Sequence, residues 1–172
     1  EHVKFNVPNA TSSTLNRVTG GDMSTISGQL TSNGQLILLN PHGIMFSNGA
    51  SVNTAGLMVS TLNLSDSNYM SGNYAFSHGG GHLGSITNLG NLSVADGKVL
   101  ALIAPNIDNQ GVLTARLGSV VLGSGTQVTL DFNGDELLSF AVNSPVADSQ
   151  IRHSGEIHAS GGYVAMQAAN VS

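Results

Sequence analysis

Apolar residues in this chain arrive in short bursts, and most bursts alternate apolar with polar positions, as in Asn91-Leu-Ser-Val94, Gln127-Val-Thr-Leu-Asp131 and Glu156-Ile-His-Ala159. A period of two marks a strand with one buried face, and no ten-residue window carries the 3.6-residue period of an amphipathic helix. The bursts also recur. Gly28 and Gly49, Gly90 and Gly111, Gly97 and Gly118, and Gly134 and Gly155 are each 21 residues apart. Gly90–Leu102 resembles Gly111–Leu122, Gly155–Met166 follows the same scheme, and Gly28–Leu38 does so with one residue fewer. Strands of about three to five residues at this spacing are too short for an ordinary sandwich, and suit coils of three short sides stacked ~4.8 Å apart. Crossovers between parallel strands are right-handed by strong preference. The expected fold is therefore all-β, a right-handed parallel β-helix with coils of about 21 residues, in a single domain over residues 1–172. Leu36, Leu38, Leu92, Val99, Leu113, Val120, Leu122, Ile157 and Val164 are predicted to point inward.

Two stretches break the period. Residues 60–85 read as an excursion from the rod, in which Ser65 or Asp66 caps a single helical turn through Met70. In residues 126–142, Asn133-Gly134 separates Val128–Phe132 from Leu137–Phe140. Asn-Gly between alternating runs signals a hairpin, whereas the distance from Gly134 to Gly155 fits a plain coil corner; both readings stay open.

Composition narrows the function. Charged residues are 9% of the 172 and the net charge is −5. The basic residues Lys4, Arg17, Lys98, Arg116 and Arg152 are scattered, without the clustered footprint that nucleic acid requires. A hydrophobic content of 40%, gathered in runs such as Leu36–Leu39 and Val99–Ala104, separates the chain from low-charge disorder. No run approaches the ~18 residues of a membrane-spanning helix, and Glu1-His-Val-Lys4 lacks the layout of a signal peptide. Cysteine is absent. That suits an exported bacterial chain, because the periplasm oxidises paired thiols and a crosslinked chain cannot thread a narrow pore.

Against this background, Gly34–Gly49, with its core Asn40-Pro-His-Gly-Ile44, followed by Leu57–Leu62 and Gly72–Phe76, resembles the secretion domain of two-partner secretion (TPS) exoproteins, the amino-terminal module of filamentous-haemagglutinin-like adhesins. Leu15–Gly21 upstream and Val128–Phe140 downstream are similar to the same family. The resemblance implies a β-helix that a dedicated outer-membrane transporter recognises through periplasmic POTRA-type domains and exports to the cell surface of a Gram-negative bacterium. It further implies a large exoprotein that reaches host or bacterial surfaces, and a cap segment ahead of Glu1. The family hallmark Asn-Pro-Asn-Gly-Ile reads Asn40-Pro41-His42-Gly43-Ile44 here, with His for Asn. A second signature, Asn-Pro-Asn-Leu, has only a poor match in Val7-Pro-Asn-Ala10.

Each candidate site also has a plain structural reading. Asn, Pro and Gly at the first, second and fourth positions fit a type I turn, and Asn40 can bond its own backbone two residues on. Asn40–Ile44 is thus a coil corner or a partner-recognition and folding element. Of the His residues, His78, His82, His153 and His158 are read as surface imidazoles, since zinc needs three or four converging ligands. Calcium-binding β-rolls need a Gly-Gly-x-Gly-x-Asp repeat that is missing. No metal or cofactor is expected. The alternative function is a carbohydrate-active β-helix enzyme, a polysaccharide lyase or hydrolase, for which convergent carboxylates are required. Its candidates, Asp131, Asp135 and Glu136, cluster at the Asn133-Gly134 turn, where solvated charge is the usual finding. Asn-x-Ser/Thr sequons at Asn9, Asn63, Asn91 and Asn170 leave glycosylation open. A solenoid suits export, because each coil adds to the one before it without long-range closure.

Overall fold

The computed structural model describes residues 1–132, 139–142, 149–168 and 170–172. The chain winds as a right-handed parallel β-helix, and the described residues make six coils. The first holds β1 (His2–Phe5), β2 (Ser13–Arg17) and β3 (Ser24–Ile26). In the second, β4 (Gln29–Leu39) serves two sides, with a register shift between Ser32 and Gln35 where it turns the corner, and β5 (Ile44–Phe46) makes the third. The third coil has β6 (Ser51–Ser60), then α1 (Asp66–Met70) and β7 (Tyr74–Ser77) outside the rod, then β8 (Ser85–Asn88). The fourth is uninterrupted: β9 (Asn91–Val94), β10 (Val99–Ile103) and β11 (Asn106–Asn109). The fifth has β12 (Val112–Thr114), β13 (Ser119–Gly123), then β14 (Gln127–Asp131) and β15 (Ser139–Val142) outside, then β16 (Gln150–His153). The last is β17 (Glu156–His158), β18 (Tyr163–Gln167) and β19 (Asn170–Val171).

Parallel register puts like residues over like. Leu30, Val52, Leu92, Leu113 and Ile157 stack on the first side. Leu36, Leu57, Leu100, Val120 and Val164 stack on the second. Ile44, Ile86, Ile107 and Ile151 stack on the third. The middle members of these columns form one buried cluster, each contributing about 1.5–3 kcal/mol. One inward expectation, Val99, needs correction, while Val164 and Ile157 hold inward register without full burial. Val164 stays 44% exposed, because among the described residues no coil covers the last one. Ile157 in the same coil is only half-buried for the same reason. Val99 faces the other way, since Leu100 and Leu102 point inward and their neighbours must point out.

That outward face of the second side is not solvated. Ile37, Leu39, Met58, Ala101, Ile103 and Val121 form a second buried cluster with Leu62, Leu64, Phe76, Val128 and Leu130 from the two excursions. Ser65 caps α1 by accepting from the Asn68 N–H at 3.2 Å, as its sequence position predicts. Between the open readings of residues 126–142 the structure selects the hairpin: β14 and β15 pair antiparallel, Val128 with Val142 and Leu130 with Phe140. The Asn133-Gly134 turn itself lies outside the described residues. On its other edge β14 pairs antiparallel with β7, Leu130 opposite Tyr74. Both excursions leave from one corner, between the second and third sides.

Glycine marks the opposite corner, from the third side to the first. A Cβ on Gly111 would run into the Gly90 carbonyl oxygen, and one on Gly155 into that of Gly111. This confirms the register of Gly90 over Gly111. Gly28, however, stacks with Ala50 and not Gly49, because Gln29 pairs with Ser51. Likewise Gly118 lies over Lys98, not Gly97.

Candidate functional site

The corner that emits the excursions in the third and fifth coils is short in the second coil, where it is Asn40-Pro41-His42-Gly43-Ile44. β4 ends in the apolar run Leu36–Leu39, which delivers Asn40 into the interior with no exposure. A buried amide must find partners, and Asn40 has them. Its Oδ1 accepts from the His42 backbone N–H at 2.9 Å, the local bond its position predicts. Its Nδ2 donates to the Asp22 carbonyl at 3.0 Å and the Ser24 hydroxyl at 2.8 Å, both in the preceding coil. The Gly43 N–H donates to the Asn40 carbonyl at 3.2 Å and closes the turn. Gly43 has φ +114°, a conformation that only Gly adopts without strain. Pro41 is exposed at the tip, and Ile44 begins β5 fully buried.

His42 is half-buried, and its ring lies parallel to that of His82, with centroids 6.4 Å apart and 10° between planes. Its Nδ1 is buried without a hydrogen-bond partner among the described residues. Gly84 packs so closely on the Pro41 carbonyl and the Gly43 N–H that a side chain there has no room. Thr61 holds it by donating to the Gly84 carbonyl at 3.0 Å. The returning end of the first excursion thus lies over the corner. A cavity of about 80 Å³ beside it is lined by Arg17, Leu39, Pro41, Leu62 and His78.

The remaining candidates do not converge here. The Val7-Pro-Asn-Ala10 segment is a separate turn in the first coil, where the Asn9 Oδ1 accepts from the Thr11 and Ser12 N–H groups, both at 3.0 Å. His158 is exposed and lies 2.9 Å from a Glu156 carboxylate oxygen. His153 is not a plain surface imidazole: its Nδ1 accepts from the Asn109 Nδ2 at 2.9 Å, and Asn109 in turn accepts from Asn88 at 2.7 Å. Among the described residues no three of His, Cys, Asp and Glu gather as metal ligands. Asp131 ends β14, while Asp135 and Glu136 lie outside the described residues. Sequence reasoning missed the two bonds from Asn40 to the coil below it. It also missed Arg17, which donates to the Leu64 carbonyl at 2.6 Å and pairs with Asp66 at 3.0 Å. No local pattern signals either, because both partners come from other coils.

Stacked coils of three short parallel strands, a polar corner in the second coil and two excursions sealing one side define a β-helix domain with extrahelical elements. The TPS secretion domain family matches residues 1–172, and the chain belongs to that family. A heme/hemopexin-binding protein of Haemophilus influenzae (strain Rd) is 34% identical over 167 residues, which cover 92% of this chain and 18% of that protein. A second Haemophilus influenzae protein of the same name is 42% identical over 76 residues, 44% of this chain and 8% of the relative. The chain therefore spans less than a fifth of the length of these relatives. The crystal structure of the HMW1 secretion domain from Haemophilus influenzae superposes with a TM-score of 0.92 at 33% identity, covering 99% of this chain and 46% of that one. The chain is a secretion domain of a large exoprotein, of a kind that Gram-negative bacteria secrete with a partner outer-membrane transporter. The family is one of secretion domains and not of known enzymes, and nothing in these likenesses favours the carbohydrate-active alternative.

Proposed function

We propose that residues 1–172 act as one unit whose Asn40–Ile44 corner is read by the transporter's periplasmic POTRA-type domains before the chain folds. The domain then folds at the cell surface and starts the β-helix of the exoprotein. The supporting observation is the complete burial of Asn40, whose amide is consumed by bonds within the domain. A partner cannot reach that amide in the folded state, so recognition through it belongs to the extended chain. An unpaired strand edge there can add to a sheet edge of the partner. The relatives' name, heme/hemopexin-binding protein, supports haem capture as the activity of the full-length exoprotein.

The test pairs Asn40→Ala with Asn109→Ala, which removes an equally buried amide outside the corner. Each leaves buried groups unpaired and is expected to cost about 1–3 kcal/mol of domain stability. Melting points of the purified domains and the amount of full-length protein released by cells carrying the transporter are then compared. Secretion is expected to fall much further for Asn40→Ala. Equal secretion at equal loss of stability would reduce Asn40 to a structural corner residue.

A further inference from the structure

Solenoids ordinarily hold together through nearest neighbours alone, each coil touching only the next. Here a second set of contacts skips coils. In the fifth coil, β14 lies outside the rod and pairs along its length with β7, which belongs to the third. Beside β7 in the same excursion, α1 reaches back to the first coil. The Tyr69 hydroxyl donates to the Ser13 carbonyl at 3.0 Å and lies 2.7 Å from the Ser13 hydroxyl on β2. Arg17, on the same strand, bonds the Leu64 carbonyl and Asp66 at the start of α1. The first, third and fifth coils are thereby joined in series along one side of the rod. Beneath the joint lies the apolar outer face of β4, β6, β10 and β13, which among the described residues is covered by the two excursions.

From these contacts we infer that the two excursions are a latch. Until β14 meets β7, whose paired residues lie 50 to 56 positions earlier in the chain, the outer face of the second side stays unsealed and the docking of α1 on the first coil lacks its support. Closure of the last contact completes the whole domain, so the rod forms as one unit and not coil by coil. This reading does not depend on how the transporter recognises the chain.

Hydrogen exchange of the full domain, followed by mass spectrometry, tests the latch with two proline variants. Thr129→Pro breaks β14, the middle strand of its sheet, where Thr129 faces Ala75 and Ala141. Ala165→Pro breaks β18 in the sixth coil, whose pairing partner is β13. The Tyr163 N–H bonds the Gly118 carbonyl, and strand alternation sends the Ala165 N–H to the same neighbour. The latch predicts that Thr129→Pro speeds exchange in the distant β2 and α1 by at least about tenfold, or unfolds the chain outright, while Ala165→Pro leaves β2 within about twofold of wild type. Loss confined to β7, β14 and β15 overturns the latch. So does an equal effect of both variants on β2, including failure of both to fold.

Discussion

Asn109 sits midway in a ladder of side chains on the third side, accepting from the Asn88 amide and donating onward to His153. An amide nitrogen only donates, so the His153 Nδ1 must be the accepting, unprotonated nitrogen of its ring. This assigns the role of His153 by chemistry and explains why a histidine can end an asparagine column. His153→Asn keeps an acceptor in the same register and is expected to change stability by less than about 1 kcal/mol. His153→Leu offers none and leaves the Asn109 donor with only the Gly111 carbonyl at 3.5 Å, at a cost of about 1–3 kcal/mol. Urea unfolding of the two variants separates the cases, and similar losses in both would mean that the ladder does not extend to residue 153.

At the scale of the strand, the second side is the instructive one. A strand with one wet face alternates, but Leu36-Ile-Leu-Leu39 and Val99–Ile103 are apolar at every position, the mark of a strand covered on both faces. Ile37, on the outer face, is as buried as Leu36 on the inner one. Ile37→Ala is therefore expected to cost about 2–5 kcal/mol, in the same range as Leu36→Ala. A cost below about 0.5 kcal/mol for Ile37→Ala, read from the unfolding midpoint, would show the outer face to be solvated. The sequence carried the coil period, the inward columns of the middle coils, the α1 cap and the local bond of Asn40, because all of these rest on neighbours along the chain. It also carried the two-faced burial in those unbroken runs, and reading them as one-faced strands put Val99 inside. Pairing of β7 with β14, and the reach of Asn40 to Asp22 and Ser24, were not legible. Each joins residues from different coils, and nothing in either segment alone specifies its partner.

The whole molecule is held by stacking and not by charge. The ion pairs Arg17–Asp66 and Arg116–Asp96 each have at least one well-exposed member. Hydrogen bonds from Arg116, with its charge adding, hold the Asp96 carboxyl below the usual carboxylate range. Whatever that pair contributes is present above the ordinary carboxylate pKa and fades as pH falls through the lowered one. Both partners lie in open solvent, so salt screens them. Raising NaCl from about 0.05 M to about 0.5 M is accordingly expected to change the unfolding free energy by less than about 1 kcal/mol. A steep fall in the urea midpoint over that range would point to a charge network that the described residues do not contain.

The corner between the second and third sides carries both excursions, the Asn40–Ile44 turn and the brief Ala104-Pro105 step. Elsewhere a single inserted or deleted residue slips a strand by one and turns its apolar set outward. At this corner the chain has already left one strand and not yet entered the next, so added length loops out and returns without disturbing the register above or below. Evolution can lengthen what hangs there beyond the joined β7 and β14 while the stacked coils stay untouched. Among related chains, gains and losses of sequence should collect at this one edge, and the bare faces should keep their length.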